Sequence, residues 1–294
     1  MQAFILAAGK GTRLYPFTNI IPKPLFPILG KPIINIILEQ LINTGIKRIG
    51  INTFHLKNKL INFLKNYQKK HPEIELQIFE EPKLLGTGGA ILNAKNFFKE
   101  PTLIINSDIL TNLNFKTLFD HHFSSAFPIT MVLYKGENNN VLIDHKSNTV
   151  SGFRLKEGVL FNYAGIQIIN PDIISHFSYK TDLIEIYQDL LNSGIKIFAF
   201  ISNNDYFKDI GTISNYLACH EDILIKKINI PFVPFSYANS IVIKNAKVGN
   251  NVIFKNWVFI DNGTFIEDNT ILSKTVSWKG AYIKTGIYNN CILV

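Results

Sequence analysis

Cysteine is nearly absent from this chain: Cys219 and Cys291 are the only two in 294 residues. So sparse a pair builds neither a disulfide framework nor a metal-ligand cluster, and a reducing cytoplasm is the expected setting. No stretch reaches the ~18 uninterrupted apolar residues of a membrane helix. The start of the chain has no basic segment leading into a long apolar run. Met1 to Ala8 is strand-length and breaks at Gly9-Lys10-Gly11, so no signal peptide is expected. Runs of one charge sign are also missing. The net charge is +8, but the lysines are scattered and not interleaved with aromatics, which favours small anionic substrates over nucleic acid. Arginine is scarce as well, with Arg13, Arg48 and Arg154 the only three among 30 basic residues. An arginine inside a glycine-rich loop therefore stands out, because its planar fork suits phosphate where lysine offers only a point charge.

What the chain has is apolar content, 47%, enough for a large α/β domain with an appendage. Strand-like runs at Ala3–Ala7, Arg48–Asn52, Glu75–Phe79 and Leu103–Asn106 alternate with helical patterns. The helices are expected from Pro32 to Gly45, at Leu56–Lys69, from about Gly88 to Phe98, and near Phe115–His122. Such alternation predicts a doubly wound, mostly parallel, Rossmann-like α/β sheet with right-handed crossovers. Sheets of this kind bind ligands beyond the carboxyl ends of their strands. From Pro128 the pattern becomes richer in strands, at 128–134, 141–144, 150–155 and 161–168, with turns at Asn138-Asn139-Asn140 and Lys146-Ser147-Asn148. Helices return at 171–177 and 183–192, a strand follows at 195–201, and Thr212 can cap a helix beginning at Ile213.

The last segment has a different rhythm. Val248, Phe254, Ile260, Ile266, Leu272 and Trp278 recur every sixth residue, and Val252, Val258, Thr264, Thr270, Val276 and Tyr282 keep the same step. A six-residue period fits one flat side of a triangular parallel β-helix, with one inward residue per side stacking under its equivalent. The chain thus divides into residues 1–228 and a repeat at 240–294, with a hinge near Asn229–Asn239 marked by Pro231 and Pro234.

Chemistry concentrates after the first strand. In Leu6-Ala7-Ala8-Gly9-Lys10-Gly11-Thr12-Arg13 the small residues let the backbone approach a polyphosphate, and successive N–H groups can cradle it. The loop is neither the dinucleotide fingerprint, whose third glycine would fall at Leu14, nor a Walker A loop. A tight βα turn alone also accounts for Gly9 and Gly11. Prolines on both sides hold Lys23 in Pro22-Lys23-Pro24, presenting an ammonium near that loop.

The run from Leu6 to Arg13 followed by Pro22-Lys23-Pro24 resembles the signature of the sugar-phosphate nucleotidyltransferase family. The similarity continues at Leu85-Gly86-Thr87-Gly88-Gly89-Ala90, Asn106-Ser107-Asp108, Asn162-Tyr163-Ala164-Gly165 and Lys208-Asp209-Ile210-Gly211-Thr212. These blocks arrive in the family's order across about residues 1–225, and the terminal repeat resembles the left-handed β-helix that many members carry. The resemblance implies a Mg²⁺-dependent transferase, mannose-1-phosphate guanylyltransferase-like, that joins a nucleoside triphosphate to a sugar 1-phosphate and releases pyrophosphate.

It also implies roles for individual residues. Arg13, Lys23 and Asp108 would be catalytic, and Asp108 and Asp209 would hold Mg²⁺, for which hard carboxylate oxygens are suited. Leu6, Ala8, Gly9, Gly11, Thr12, Glu81, Gly86 and Thr87 would border the nucleotide, with Gly86 against the base. Glu81 accepts hydrogen bonds only, which suits guanine and leans the expectation towards GTP. Asn162 and Gly165 would read the sugar. Lys156 would grip its phosphate, although the family's Glu-Lys-Pro is here Leu155-Lys156-Glu157, and Arg154 is the alternative.

Because the attacking phosphate is already anionic, no general base is needed, and the seven histidines are read as structural or surface groups. Uridylylation of an N-acetylmuramate or hexose 1-phosphate is an alternative, as is a non-catalytic nucleotide-sugar-binding regulatory subunit. An acyltransferase built on the repeat is disfavoured, since residues 240–294 contain no histidine. The repeat is expected to mediate homo-oligomer contact.

Overall fold

The computed structural model describes residues 1–136, 140–154, 160–226, 228–233 and 240–294. Lys156, the Asn138-Asn139 part of one expected turn and the expected hinge from Pro234 onward lie outside the described residues. In chain order the first elements are β1 (Gln2–Leu6), β2 (Pro27–Ile28), β3 (Lys31–Pro32), α1 (Ile33–Asn43), β4 (Arg48–Thr53), α2 (Lys57–Lys70), β5 (Glu75–Glu80) and α3 (Gly86–Asn93). Next come β6 (Thr102–Asn106), β7 (Ile109–Thr111), α4 (Phe115–Ser125), β8 (Ile129–Tyr134), β9 (Val141–Asp144), β10 (Thr149–Phe153) and β11 (Leu160–Ile169). After these follow α5 (Leu183–Asn192), β12 (Ile197–Ser202), β13 (Phe207–Asp209) and α6 (Ile213–Leu224). The last segment contains β14 (Ile241–Ile243), β15 (Lys247–Val248), β16 (Ile253–Ile260), β17 (Phe265–Ile266), β18 (Ile271–Ser277), β19 (Tyr282–Ile283), β20 (Ile287–Asn289) and β21 (Ile292–Leu293).

The chain forms two compact units that do not follow its linear order. One comprises Met1–Lys10, Gln40–Ile109 and Leu113–Asp205; the other comprises Gly11–Glu39, Leu110–Asn112 and Tyr206–Val294. In the first unit a nine-stranded sheet runs in the order β5-β4-β1-β6-β11-β8-β12-β10-β9. The four strands β5, β4, β1 and β6 are all parallel. Ala3, Phe4 and Ile5 of β1 are fully buried, as expected of a parallel strand covered on both faces. Phe4 packs its ring against Phe79, Phe97 and Phe98 at centroid distances of 5.6, 5.8 and 5.2 Å. Gly50 makes room for it, because a Cβ there would lie 2.6 Å from the Phe4 ring.

Beyond β6 the expectation of a mostly parallel sheet is corrected. β11 runs antiparallel to β6, β8 and β9, β10 runs antiparallel to β9 and β12, and only β12 and β8 pair in parallel. Short turns such as the one between β9 and β10 permit only antiparallel pairing, since a parallel pair requires a long crossover. The architecture is mixed α/β.

The second unit holds the β2–β3 hairpin, the β7–β13 pair, α6 and the terminal strands. Thr212 caps α6 as expected, its hydroxyl accepting the Asn215 N–H at 3.1 Å. All terminal strand pairs are parallel, within one sheet of β14, β16, β18, β20 and β21 and another of β15, β17 and β19. Ile253 pairs with Ile271, and Asn251 donates to Asn269 at 3.2 Å, both steps of 18 residues. Asn251, Asn256 and Asn269 turn the corners at positive φ of 56, 57 and 56°, a region in which asparagine is tolerated better than most side chains.

The six-residue pattern holds in the middle of this segment and at Trp278, and fails at Val248 and Tyr282. Ile260, Ile266, Leu272, Val258, Thr264, Thr270 and Val276 are buried, whereas Val248 is 42% and Tyr282 is 57% exposed. The register explains Tyr282. Val248 pairs with Ile266, but Ile266 pairs with Ile283, a step one residue shorter. The loss occurs where β16 bulges against β18 between Lys255 and Val258. A shift of one residue turns a strand's side chains over, so Ile283 goes inward and Tyr282 outward, where it stacks on Phe265 at 5.2 Å. Among the described residues no helix is long and apolar enough to cross a membrane.

Candidate active site

Within the first unit, polar residues cap the carboxyl ends of the parallel strands. Leu6 and Ala8 are nearly buried at the end of β1. Asn52, at the end of β4, accepts the Ala7 N–H at 2.6 Å and donates to the Glu81 carboxylate at 2.7 Å. The other Glu81 oxygen accepts the Leu85 N–H at 2.9 Å, and Glu81 is 3% exposed. Glu81 therefore braces the turn at 81–85 against the start of the glycine loop. Each of its two oxygens thus already accepts a hydrogen bond from the protein.

Gly86 and Thr87 also have local duties. Gly86 has φ of 75°, and an added Cβ would overlap the Thr181 carbonyl. That carbonyl accepts the Gly88 N–H at 2.9 Å, and the Thr87 hydroxyl accepts the Leu183 N–H at 3.0 Å. Gly86 and Gly88 are thus required by the segment leading into α5, where an added Cβ on Gly88 would lie 2.6 Å from the Lys180 carbonyl. Gly9 is different: nothing lies within 4 Å of an added Cβ. Among the described residues no neighbour demands glycine there, so its place in the loop is not set by packing.

Next to β6 in the same sheet, β11 is irregular. Tyr163 pairs with Leu133 but Gln167 pairs with Met131, so extra residues bulge around Ala164-Gly165-Ile166. Bulges re-aim side chains and favour the neighbourhood of active sites. Gly165 has φ of 71°, and its missing Cβ leaves room for the Asn106 amide, 2.8 Å from that position. Asn162 lies just before the bulge, packed against Gly136. Arg154, the alternative to Lys156, is ion-paired with Asp182 and, at 3.7 Å, with Glu185. Two carboxylates compete for it, so it is a poor phosphate ligand as it stands. Asp108 is 9% exposed and directly precedes β7.

The second unit gathers the remaining predicted residues. Gly11 occupies the left-handed region at φ of 63°, and an added Cβ would sit 2.9 Å from the Thr18 methyl and 3.5 Å from Lys23 Cβ. The chain then turns through Thr12 and Arg13 in a short 3-10 helix, with the Leu14 N–H donating to the Gly11 carbonyl at 2.9 Å. Similar turns follow at Phe17–Asn19 and at Lys23–Leu25. Arg13 reaches Asp209, at the end of β13, with 3.6 Å between guanidinium and carboxylate. The side chains are 63% and 41% exposed, so the pair adds little stability and leaves both charges accessible. The other Asp209 oxygen accepts the Gly211 N–H at 2.6 Å. A Cβ on Gly211 would lie 2.8 Å from the Arg13 guanidinium, so glycine is needed for this approach.

Nearby, Asp222 accepts from Tyr206 at 2.8 Å and pairs with Lys208 at 3.2 Å and Lys226 at 2.7 Å. Burial pushes its carboxyl up, but the hydrogen bonds from Lys226 and Tyr206 and the Lys208 charge outweigh this and hold it below its ordinary value. The buried histidines are structural: His122 bridges Thr130 and Asn170, and His220 lies between the Leu29 N–H and the Tyr216 carbonyl. Burial lowers both, His220 to about 4.

Two carboxylates are a sufficient donor set for Mg²⁺, which keeps waters and substrate phosphates as its other ligands. Among the described residues no three His, Cys, Asp or Glu side chains cluster as a metal site, so a closed transition-metal site has no ligand set.

Reading the sequence missed Asn52, Thr181 and the β7–β13 pair, and it placed Asn106 in a motif without giving it a role. Asn52 and Asn106 had a signal, each being an amide that ends an otherwise apolar strand. Thr181 lies in a loop without pattern.

Comparison with known proteins adds the following. Residues 2–142 match the model of the family described as Nucleotidyl transferase. Bifunctional protein GlmU of Methanococcus maripaludis is 30% identical over 91% of this chain, which spans 62% of that relative's length. Mannose-1-phosphate guanylyltransferase 1 of Arabidopsis thaliana is 27% identical over 97% of this chain and 83% of the relative. A Bacillus anthracis protein assigned as a glucose-1-phosphate thymidylyltransferase, solved with a bound sucrose, shares the fold. Its TM-score is 0.68 at 18% identity, covering 80% of this chain and 98% of that one.

Proposed function

We propose that this chain is a nucleotidyl transferase that makes a nucleotide sugar and pyrophosphate from a nucleoside triphosphate and a sugar 1-phosphate. The observation that carries the reading is the Arg13–Asp209 pair. A phosphate-type arginine on the glycine loop stands beside a carboxylate fit for a metal, on a glycine that admits no side chain. The reaction is in-line attack of a sugar-phosphate oxygen on the α-phosphorus. Arg13 and Lys23 grip the triphosphate oxygens, while the backbone from Ala8 to Thr12 cradles them with little steric bulk at Gly9 and Gly11. Asp108 and Asp209 hold Mg²⁺, which when bound neutralises charge on the triphosphate. No proton must be removed from the nucleophile, so the buried histidines have no part in the step.

In this reading residues 1–228 carry the chemistry and 240–294 form a left-handed β-helix that also serves homo-oligomer contact. The parallel half of the sheet is one wing of a doubly wound domain. Asn162 and the backbone at Gly165 read sugar hydroxyls, and Lys156 takes the sugar phosphate. The two thiols, both free, suit a cytoplasmic setting.

Guanylyl transfer to a mannose or heptose 1-phosphate is the best specific form, supported by a guanylyltransferase relative aligned over nearly the whole chain. Uridylyl transfer is the second form, since Glu81 is occupied as a brace and no longer argues for guanine. A purely regulatory subunit is disfavoured by the retention of Arg13, Lys23, Asp108 and Asp209.

The test is pyrophosphate release from four triphosphates crossed with a panel of sugar 1-phosphates, with and without Mg²⁺. One productive, Mg²⁺-dependent pair is expected. No release from any pair would refute the reading.

A further inference from the structure

The terminal repeat makes contacts that oligomerisation does not explain. It is bolted to the segment carrying Lys23, inside one compact unit. Trp278 packs edge-on against Phe26 at 5.0 Å and lies 5.7 Å from Phe17. Its indole N–H donates to the Tyr216 hydroxyl at 3.0 Å, and that hydroxyl donates to the Pro27 carbonyl at 2.5 Å. Two residues on, Leu29 is held at both backbone ends: its N–H by His220 at 3.3 Å and its carbonyl by the Lys244 ammonium at 2.8 Å. Lys244 is in turn paired with the buried Asp261 at 3.6 Å and lies 5.0 Å over the Phe259 ring.

Leu29 itself is strained, with φ of 47°, a conformation that a branched side chain avoids and that persists only where the surroundings over-determine it. Gly30 next to it has no room for a side chain, since a Cβ would lie 2.5 Å from the Lys244 ammonium and 2.8 Å from Asp261. The short turn at Lys23 then follows from the fixed hairpin, the Phe26 N–H donating to the Lys23 carbonyl at 3.0 Å. Lys23's stem in turn lies along Gly11.

We infer that the repeat is the template of the phosphate-gripping segment, with Trp278 and Lys244 as positioning residues that fix the backbone from Lys23 to Gly30. The consequence for catalysis rests on the transferase reading above; the fixing of the backbone does not.

A matched pair of tryptophans provides the test. Trp257 is also buried in the repeat, but its indole N–H has no hydrogen-bond partner among the described residues. Hydrogen exchange of the segment 23–33 is measured in the full chain for the parent, Trp278→Phe, Trp257→Phe, and Lys244→Met combined with Asp261→Asn, which leaves no carboxylate unpaired. Exchange is expected to quicken in Trp278→Phe and in the double variant, but not in Trp257→Phe. In the same two variants kcat should fall about tenfold, with KM for the sugar 1-phosphate unchanged, because the misplaced group acts on the triphosphate. Equal exchange in all four proteins overturns the inference, as does quickened exchange with parental kcat. A parent chain without turnover sinks the transferase reading instead, and the exchange comparison still decides whether the repeat holds the segment.

Discussion

Asn52 joins the first strand's loop to Glu81, accepting the Ala7 N–H at 2.6 Å while donating to the buried carboxylate at 2.7 Å. Through this one amide, the carboxyl ends of two parallel strands and the turn at 81–85 form a continuous hydrogen-bonded rim.

Glu81 is predicted to matter for stability and not for the choice of base. Glu81→Gln replaces one acceptor with a donor facing either the Asn52 amide or the Leu85 N–H. The unmet group should cost about 1–3 kcal/mol, visible as a lower urea midpoint. Relative rates with GTP and UTP should not change. A switch in base preference would restore Glu81 as the group that reads the base.

Two glycines should respond in opposite ways. Gly86→Ala forces a left-handed alanine into the Thr181 carbonyl and is expected to destabilise the fold by about 2–4 kcal/mol. Gly9→Ala meets no atom of the described residues within 4 Å, so its unfolding midpoint should shift by no more than about 0.5 kcal/mol. Its kcat/KM for the triphosphate should nevertheless fall, since the new methyl occupies space left for phosphate. Full activity in Gly9→Ala would reduce that loop to an ordinary turn.

Acid should loosen the fold through His220. Its folded pKa, about 4, lies below the 6.5 of a free imidazole, so the unfolded chain binds the proton first. The stability from its neutral form is present above about pH 6.5 and is lost as pH falls towards about 4. Between about pH 7 and 5 this group alone should remove about 2 kcal/mol. His220→Gln, measured by urea unfolding at both pH values, should flatten that part of the dependence. An unchanged slope would mean that His220 does not titrate as its burial requires.

Much of this was legible in the sequence, for reasons that differ by element. The parallel strands announced themselves because burial on both faces leaves continuous apolar runs, as in Ala3-Phe4-Ile5. The helix beginning at Ile213 was visible through the capping side chain of Thr212. Antiparallel pairing of β11 was not visible, because an apolar run carries no record of its partner's direction. Tyr282 was misread because a bulge near Asn256 shifts the register without leaving a break in the six-residue pattern. In the candidate site, glycines marked close approach but not what approaches: Gly9 faces open space and Gly86 faces Thr181. The Arg13–Asp209 pair could be suspected only from the order of motifs, since no local pattern links residues so far apart.

The proposed function assigns Mg²⁺ to Asp108 and Asp209, on the triphosphate that Arg13 would grip. Its most direct test is pyrophosphate release by Asp108→Asn and Asp209→Asn across a Mg²⁺ titration, with folding checked by circular dichroism. Each substitution should lower kcat by about a hundredfold or more and move the Mg²⁺ midpoint upward. Either variant retaining both the parental rate and the parental midpoint would contradict the claim.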